Sequence, residues 1–184
     1  MNRAYYFDND EDGLSINTSH PVFRQFFADE LYYNCFDEEA PFGNDDGSDT
    51  LYELQDRLRN RHEVDFADFP RRLIEEEWEM TYLPPEKGQT REQLIGLARQ
   101  NVDGLPGEQA LLTTDQVILA TAFGQLKTTG QLDHRLKDLA FLALDRQDAM
   151  SRIFWGWPEE GPTEAIAVMR RDLEVFCNKD LEKK

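Results

Sequence analysis

Thr114–Leu126 reads TDQVILATAFGQL. Val117, Ile118, Leu119, Ala120, Ala122, Phe123 and Leu126 leave this segment almost no polar face. A helix that is apolar nearly all round is enclosed by other elements. Thr113–Gln116 has the form of a capping box, with a hydroxyl for a free N–H and a glutamine that reaches back. Asp115 would then suit the positive end of the helix dipole. Thr128-Thr129-Gly130 breaks the helix, and Gly130 is free to adopt the left-handed conformation. A second helix is expected from Leu132 or Asp133. It would carry Leu132, Leu136, Leu139, Ala140, Ala143 and Leu144 on one face, widened by Phe141 and Leu142. Two helices joined by a short polar break lie antiparallel. Neither apolar segment approaches the roughly 20 residues a membrane span needs. The expected organiser is thus a buried helical hairpin, residues 114–150, with the rest of the chain packed around it.

Outward from the hairpin, the pattern stays helical. Pro21 would start a helix carrying Val22, Phe23, Phe26, Phe27, Leu31 and Tyr32, with His20 as a turn or cap residue. Thr50–Arg61 would follow a loop of about 15 residues, Cys35–Asp49, with Ser48 or Asp49 as its N-cap. Asp68-Phe69-Pro70 would start a helix with Leu73, Ile74, Trp78 and Tyr82 on one face, ending at Pro84. Its glutamates 75, 76, 77 and 79 lie mainly on the other face, as a solvated surface. Thr90–Gln93 is a second capping box. Ile153–Trp157 (IFWGW) is an aromatic cluster, and Pro162 opens a last helix with a fraying tail, 179–184. Residues 4–7, AYYF, suit a short strand. The fold class is mainly α. One domain, 1–184, would hold six to eight helices, with a minor β element near the N-terminus.

The 184 residues carry 37 acids against 20 lysines and arginines, a net charge of −17. The excess is concentrated in residues 1–56, where 14 acids meet only Arg3 and Arg24. Such a region repels phosphate backbones, which argues against direct nucleic-acid binding. It would steer a basic protein partner or attract divalent cations. Cys35 and Cys177 offer no disulfide framework and suit a reducing compartment. Met1-Asn2-Arg3 runs into acids rather than an apolar stretch, so neither a signal peptide nor an anchor is expected. A cytoplasmic location follows from these readings.

Two acidic segments carry the candidate sites. Asp8–Gly13, DNDEDG, has the opening half of an EF-hand loop, with Asp8, Asp10 and Asp12 as oxygen ligands for calcium or magnesium. The loop's twelfth position, where a bidentate Glu is needed, is Ser19, and its aliphatic eighth position is Ser15. An acidic turn is the plainer reading, with no cofactor. In the second segment, Asp45, Asp46 and Asp49 follow Asp37, Glu38 and Glu39. With Phe42, these form the candidate partner-binding set. The sequence has no Walker loop, G-x-G-x-x-G, G-x-S-x-G or H-E-x-x-H. No E-x-x-H accompanies Glu75 and Glu79, which argues against a di-iron site. Cys35 and Cys177 read as buried apolar residues.

Residues 20–54 resemble the opening of the YfeS-like family of bacterial proteins, most of all in DEEAPFGNDDGSDT, Asp37–Thr50. LTTDQVILATAFGQLKTTGQLD, residues 112–133, is similar to the family as well. Together they cover about a third of the chain. Some members are joined to a WGR domain, a module linked with nucleic-acid proteins. Trp155-Gly156-Trp157 lacks the arginine and is not read as one. The resemblance implies a bacterial cytoplasmic protein and assigns no activity. The first expectation for function is a non-enzymatic acidic protein-binding module, immunity- or antitoxin-like toward a basic partner. The alternative is a divalent-metal-binding protein or metal-dependent hydrolase using the N-terminal aspartates. Self-association through the aromatic cluster is a third reading.

Overall fold

A computed structural model describes residues 5–155 and 163–181. The elements in chain order are α1 (Pro21–Phe26), a 3-10 turn (Glu30–Tyr33), α2 (Asp45–Arg59), α3 (Phe69–Arg72) continued by a π turn (Leu73–Glu77), and α4 (Arg91–Ala98). They continue with β1 (Asn101–Val102), β2 (Leu105–Pro106), α5 (Gly107–Thr129), α6 (His134–Phe154) and α7 (Glu164–Leu181). The protein is mainly α. No helix among the described residues is long and apolar enough to cross a membrane.

α5 is the centre. Of its 23 residues, 18 are buried, so neighbours must cover most of its surface. α2 crosses it closely where Gly124 meets Leu51 and Leu54, and a Cβ there would lie 3.1 to 3.2 Å from their methyl carbons. α1, the 3-10 turn and α7 cover another side. Phe23, Phe27, Tyr32 and Phe123 meet there at ring-centroid separations of 4.8 to 5.7 Å, mostly edge to face. Phe26 and Phe27 both reach Phe176 of α7. Leu73 and Ile74 pack with Leu54, Leu58 and Val117 in a second cluster.

α5 ends as its sequence requires. Gly130 takes a φ of +68°, and a Cβ there would sit 2.2 Å from the His20 ring. Asp133 caps α6, its carboxylate accepting from the Arg135 and Leu136 amides. Beside the turn, the Asp133 amide donates to Gln125 Oε1 at 3.0 Å, and farther away Arg146 meets Asp115. The helices are therefore antiparallel, as expected.

α5 begins earlier than expected. It starts at Gly107 behind Pro106, without a side-chain cap, so Thr113–Gln116 is not a capping box. Asp115 lies within the helix rather than at its positive end. It is fully buried, and Arg146, 3% exposed, grips it through Nε and Nη2 at 2.8 to 3.1 Å. Arg146 Nη2 also donates to the Leu83 carbonyl at 2.8 Å, and the Leu83 amide donates to Thr114 Oγ1 at 3.2 Å. The pair thus pins the 79–85 segment across the hairpin.

Other boundaries differ as well. α2 starts at Asp45 with Asn44 as its cap, so the acids Asp45, Asp46 and Asp49 lie on the helix, not in a loop. The helix predicted through Tyr82 ends in the π turn at Glu77, and Glu79 has a φ of +53°. Tyr82 therefore lies outside any helix, and Glu75 and Glu79 do not share a face. Residues 5–7 form no strand; the Tyr6 amide donates instead to the Thr128 carbonyl at 2.9 Å. The β element is the β1–β2 hairpin, turned by Asp103 and Gly104 at positive φ. The Thr90 capping box is present with both of its bonds. Gly156, Trp157 and Pro162 lie outside the described residues.

Complete burial raises the Asp115 carboxyl to about 6, against the opposing pull of Arg146. Arg146→Met should destabilise the protein by about 3–5 kcal/mol in urea melts, because it leaves one buried charge unpaired. Adding Asp115→Leu should restore most of that loss. Without Arg146 the Asp115 pKa rises further, so the folded variant keeps a proton that the wild type has lost. The deficit of Arg146→Met should therefore be smaller at pH 5.5 than at pH 8. A pH-independent deficit would contradict this account of the pair.

Candidate functional site

The first acidic segment is a structural joint. Asp8 accepts from Lys127 Nζ at 2.5 Å, from Thr18 Oγ1 at 2.5 Å and from Gln55 Nε2 at 2.9 Å. Its amide donates to Gln55 Oε1 at 3.0 Å. Lys127 is fully buried near the end of α5, so Asp8 neutralises the ammonium that α5 carries into the core. Burial pushes the Lys127 pKa down, and Asp8 opposes that shift. Asn9 organises the exposed turn, its Oδ1 accepting from the Glu11 and Asp12 amides. Asp10 and Asp12 stay exposed on that turn. Among the described residues no three His, Cys, Asp or Glu side chains converge in a way that could hold a metal ion.

The second segment builds a presentation loop. Asn34 Oδ1 accepts from the Phe36 amide, and Asp37 Oδ1 from the Glu39 amide. Asn44 Nδ2 donates to the Glu38 and Ala40 carbonyls, while its Oδ1 caps α2 at the Gly47 amide, 2.7 Å away. The loop closes so tightly that a Cβ on Gly43 would lie 2.0 Å from the Asp37 carbonyl oxygen. Short polar side chains bonding the adjacent backbone fix such turns. The 34–44 loop therefore has its own hydrogen-bonded frame.

The frame places the predicted partner residues unequally. Glu38, Glu39, Asp45 and Asp49 are exposed, and Asp37 and Asp46 are half-buried. Phe42 is 2% exposed and packs in the main core, where it forms part of the floor of a groove rather than an exposed contact. Burial raises the Asp46 carboxyl, with the Thr113 hydroxyl opposing. Burial likewise raises Glu39, opposed by Thr163. Cys35 is exposed rather than buried, and Cys177 is half-buried.

The residue that sequence reasoning missed is Phe36, 89% exposed at the turn of this loop. Tyr52 on α2 is 65% exposed. Between them run two shallow grooves of about 260 and 560 Å³, which share Leu14 and Cys35. Tyr52 lines the first, Phe36 and Ile16 the second. On the other side of the loop, a cavity of about 320 Å³ opens between residues 38–44, α5, α6, Trp155 and α7. One loop thus separates an outer apolar surface from an inner cleft.

Fold and site together define a mainly α protein on a buried helical hairpin, with one rigid acidic loop presented between grooves. The chain is 40% identical over 176 residues to a protein of Escherichia coli (strain K12) described as "Uncharacterized protein YfeS". That match takes in 94% of this chain and 67% of the relative. The chain belongs to the YfeS-like family, and the likeness extends far beyond the third of the chain that its motifs suggested. No protein-family model matches the chain, and no solved structure does.

The two roles of the N-terminal aspartates separate by mutation. Asp8→Ala should cost about 3–5 kcal/mol, since it strands a buried ammonium. Asp10→Ala and Asp12→Ala should each shift stability by less than about 0.5 kcal/mol. Thermal melts read all three. Equal losses that appear only with added calcium would instead mark the trio as ligands.

Proposed function

We propose that this chain is a non-enzymatic protein-binding module whose acidic N-terminal face engages a basic partner protein, in the manner of an immunity protein or antitoxin. Charge distribution supports this reading. Of the 14 acids in residues 1–56, only Asp8 pairs with a cation among the described residues. Beyond residue 56, eleven acids do so. Negative charge is therefore least compensated in residues 1–56, where the 14 acids face only Arg3 and Arg24. Such a field speeds association with a cationic surface and selects against anionic ones.

Phe36 carries the proposal. Acids alone would serve solubility, but an ordered loop that holds a phenylalanine 89% exposed gains nothing in solubility. A rigid aromatic ringed by charge matches the anchor-and-rim arrangement of protein interfaces. Tyr52 and the Leu14–Cys35 grooves supply the apolar surface around it.

A tagged full chain, used as bait in its bacterial host, should capture one stoichiometric basic protein that is released as salt rises. With that protein purified, Phe36→Ala should weaken binding by about 2 kcal/mol or more, chiefly through faster dissociation. Charge reversal at Glu38, Asp45 and Asp49 should slow association and flatten its salt dependence. Salt-insensitive association that survives both variants would defeat the proposal.

A further inference from the structure

The inner cleft lies on the other side of the loop and shares only Glu38 and Glu39 with the partner-binding set. Its volume of about 320 Å³ is at the small end of the range for small-molecule sites. Leu112, Leu119, Ile166, Pro41 and Trp155 make its walls apolar. Two polar side chains interrupt them, Gln116 from α5 and Gln147 from α6. Both are half-buried, and neither hydrogen-bonds to another described residue.

Their neighbours behave differently. Thr114 bonds back to the Ala110 carbonyl, Ser151 to the Asp148 carbonyl, and Asp115 to Arg146. Gln116 and Gln147 follow Asp115 and Arg146 directly in sequence, so the ion pair fixes the level at which the two amides meet the cleft. Two amides without partners in an apolar wall offer donors and acceptors to an occupant. At the mouth lie Glu38 and Glu39, both exposed. No Lys, Arg or His is among the described residues lining the cleft. The charged residues among the described lining are thus both acids, which disfavours an anion and favours a cation.

We propose that this cleft binds a small organic cation, with an apolar ring against Leu112, Leu119 and Ile166. The ring's polar edge meets the Gln116 and Gln147 amides, and a protonated amine sits at Glu38 and Glu39. This size and lining suit an arylalkylamine.

Three probes sharing one ring test this on the full chain: tyramine, neutral 4-ethylphenol and anionic 4-hydroxyphenylacetate, each titrated by amide chemical-shift mapping. Tyramine should shift residues 112–119, 147–151 and 166. It should bind about fivefold tighter than 4-ethylphenol, the advantage an exposed ion pair supports, and the anion should bind weakest. Glu38→Gln with Glu39→Gln, both at exposed positions, should erase the tyramine advantage and leave 4-ethylphenol unchanged. Gln116→Leu with Gln147→Leu should weaken tyramine and 4-ethylphenol alike. The proposal fails if the anion binds as well as the amine, or if none of the three probes binds. It fails equally if tyramine shifts map to the exposed acids of α2, because that pattern is nonspecific charge attraction.

Discussion

Enclosing most of α5 is the constraint on which the other elements depend. A helix buried over most of its surface can place few of its polar groups in water, so most of the buried ones are matched inside. Thr114 and Thr121 turn back onto the carbonyls of Ala110 and Val117. Asp115 and Lys127 cannot, because a buried charge needs a counter-charge. One counter-charge comes from Arg146, on the helix that doubles back along α5. The other comes from Asp8, 119 residues away in sequence. Each of these partners draws a further segment into place: Arg146 holds the Leu83 carbonyl, and Asp8 holds Gln55 of α2. The irregular parts of the chain, residues 5–20 and 79–85, are therefore positioned by the charges of the most buried helix.

That arrangement explains which features were legible. Periodicity reports which faces are apolar, so the hairpin, the aromatic cover of α1 and the Thr90 box could be read directly. Gly130 was legible because a left-handed turn admits few alternatives. Helix starts were less so. Thr113-x-x-Gln116 has the letters of a capping box, yet α5 begins behind Pro106, which caps nothing with its side chain. Run N-D-D-G-S-D at 44–49 contains several competent caps, and the first of them prevails because Asn44 also bonds the loop before it. The π turn at Leu73–Glu77 has no letter pattern at all.

Site residues divide along the same line. Asp8 could be read only as part of an acidic motif, because a local motif carries no information about Lys127, the ammonium it meets in the fold. Phe42 and Phe36 are alike as letters, separated by six positions in a chain with 12 phenylalanines. What tells them apart is the closure of the 34–44 loop, in which Asn34 and Asp37 bond the backbone and Gly43 lets two strands of it approach. That closure turns Phe42 into the core and leaves Phe36 outside.

The same loop bears on both sides of the proposed chemistry. Its outer turn displays Phe36 toward the Leu14–Cys35 grooves, and its inner turn brings Glu38, Glu39 and Pro41 to the cleft over the hairpin. The carbonyls of Glu38 and Ala40 are held by Asn44, which also caps α2. Displacing the inner turn would therefore disturb a helix cap and, through it, the α2 face that carries Asp45, Asp49 and Tyr52. An occupant that fits the cleft without moving the loop would leave the outer surface as it is. One that needs the inner turn displaced must supply the free energy of the broken cap, about 1 kcal/mol for a residue of this kind. Cleft and grooves are thus joined mechanically by Asn44, a residue that belongs to neither.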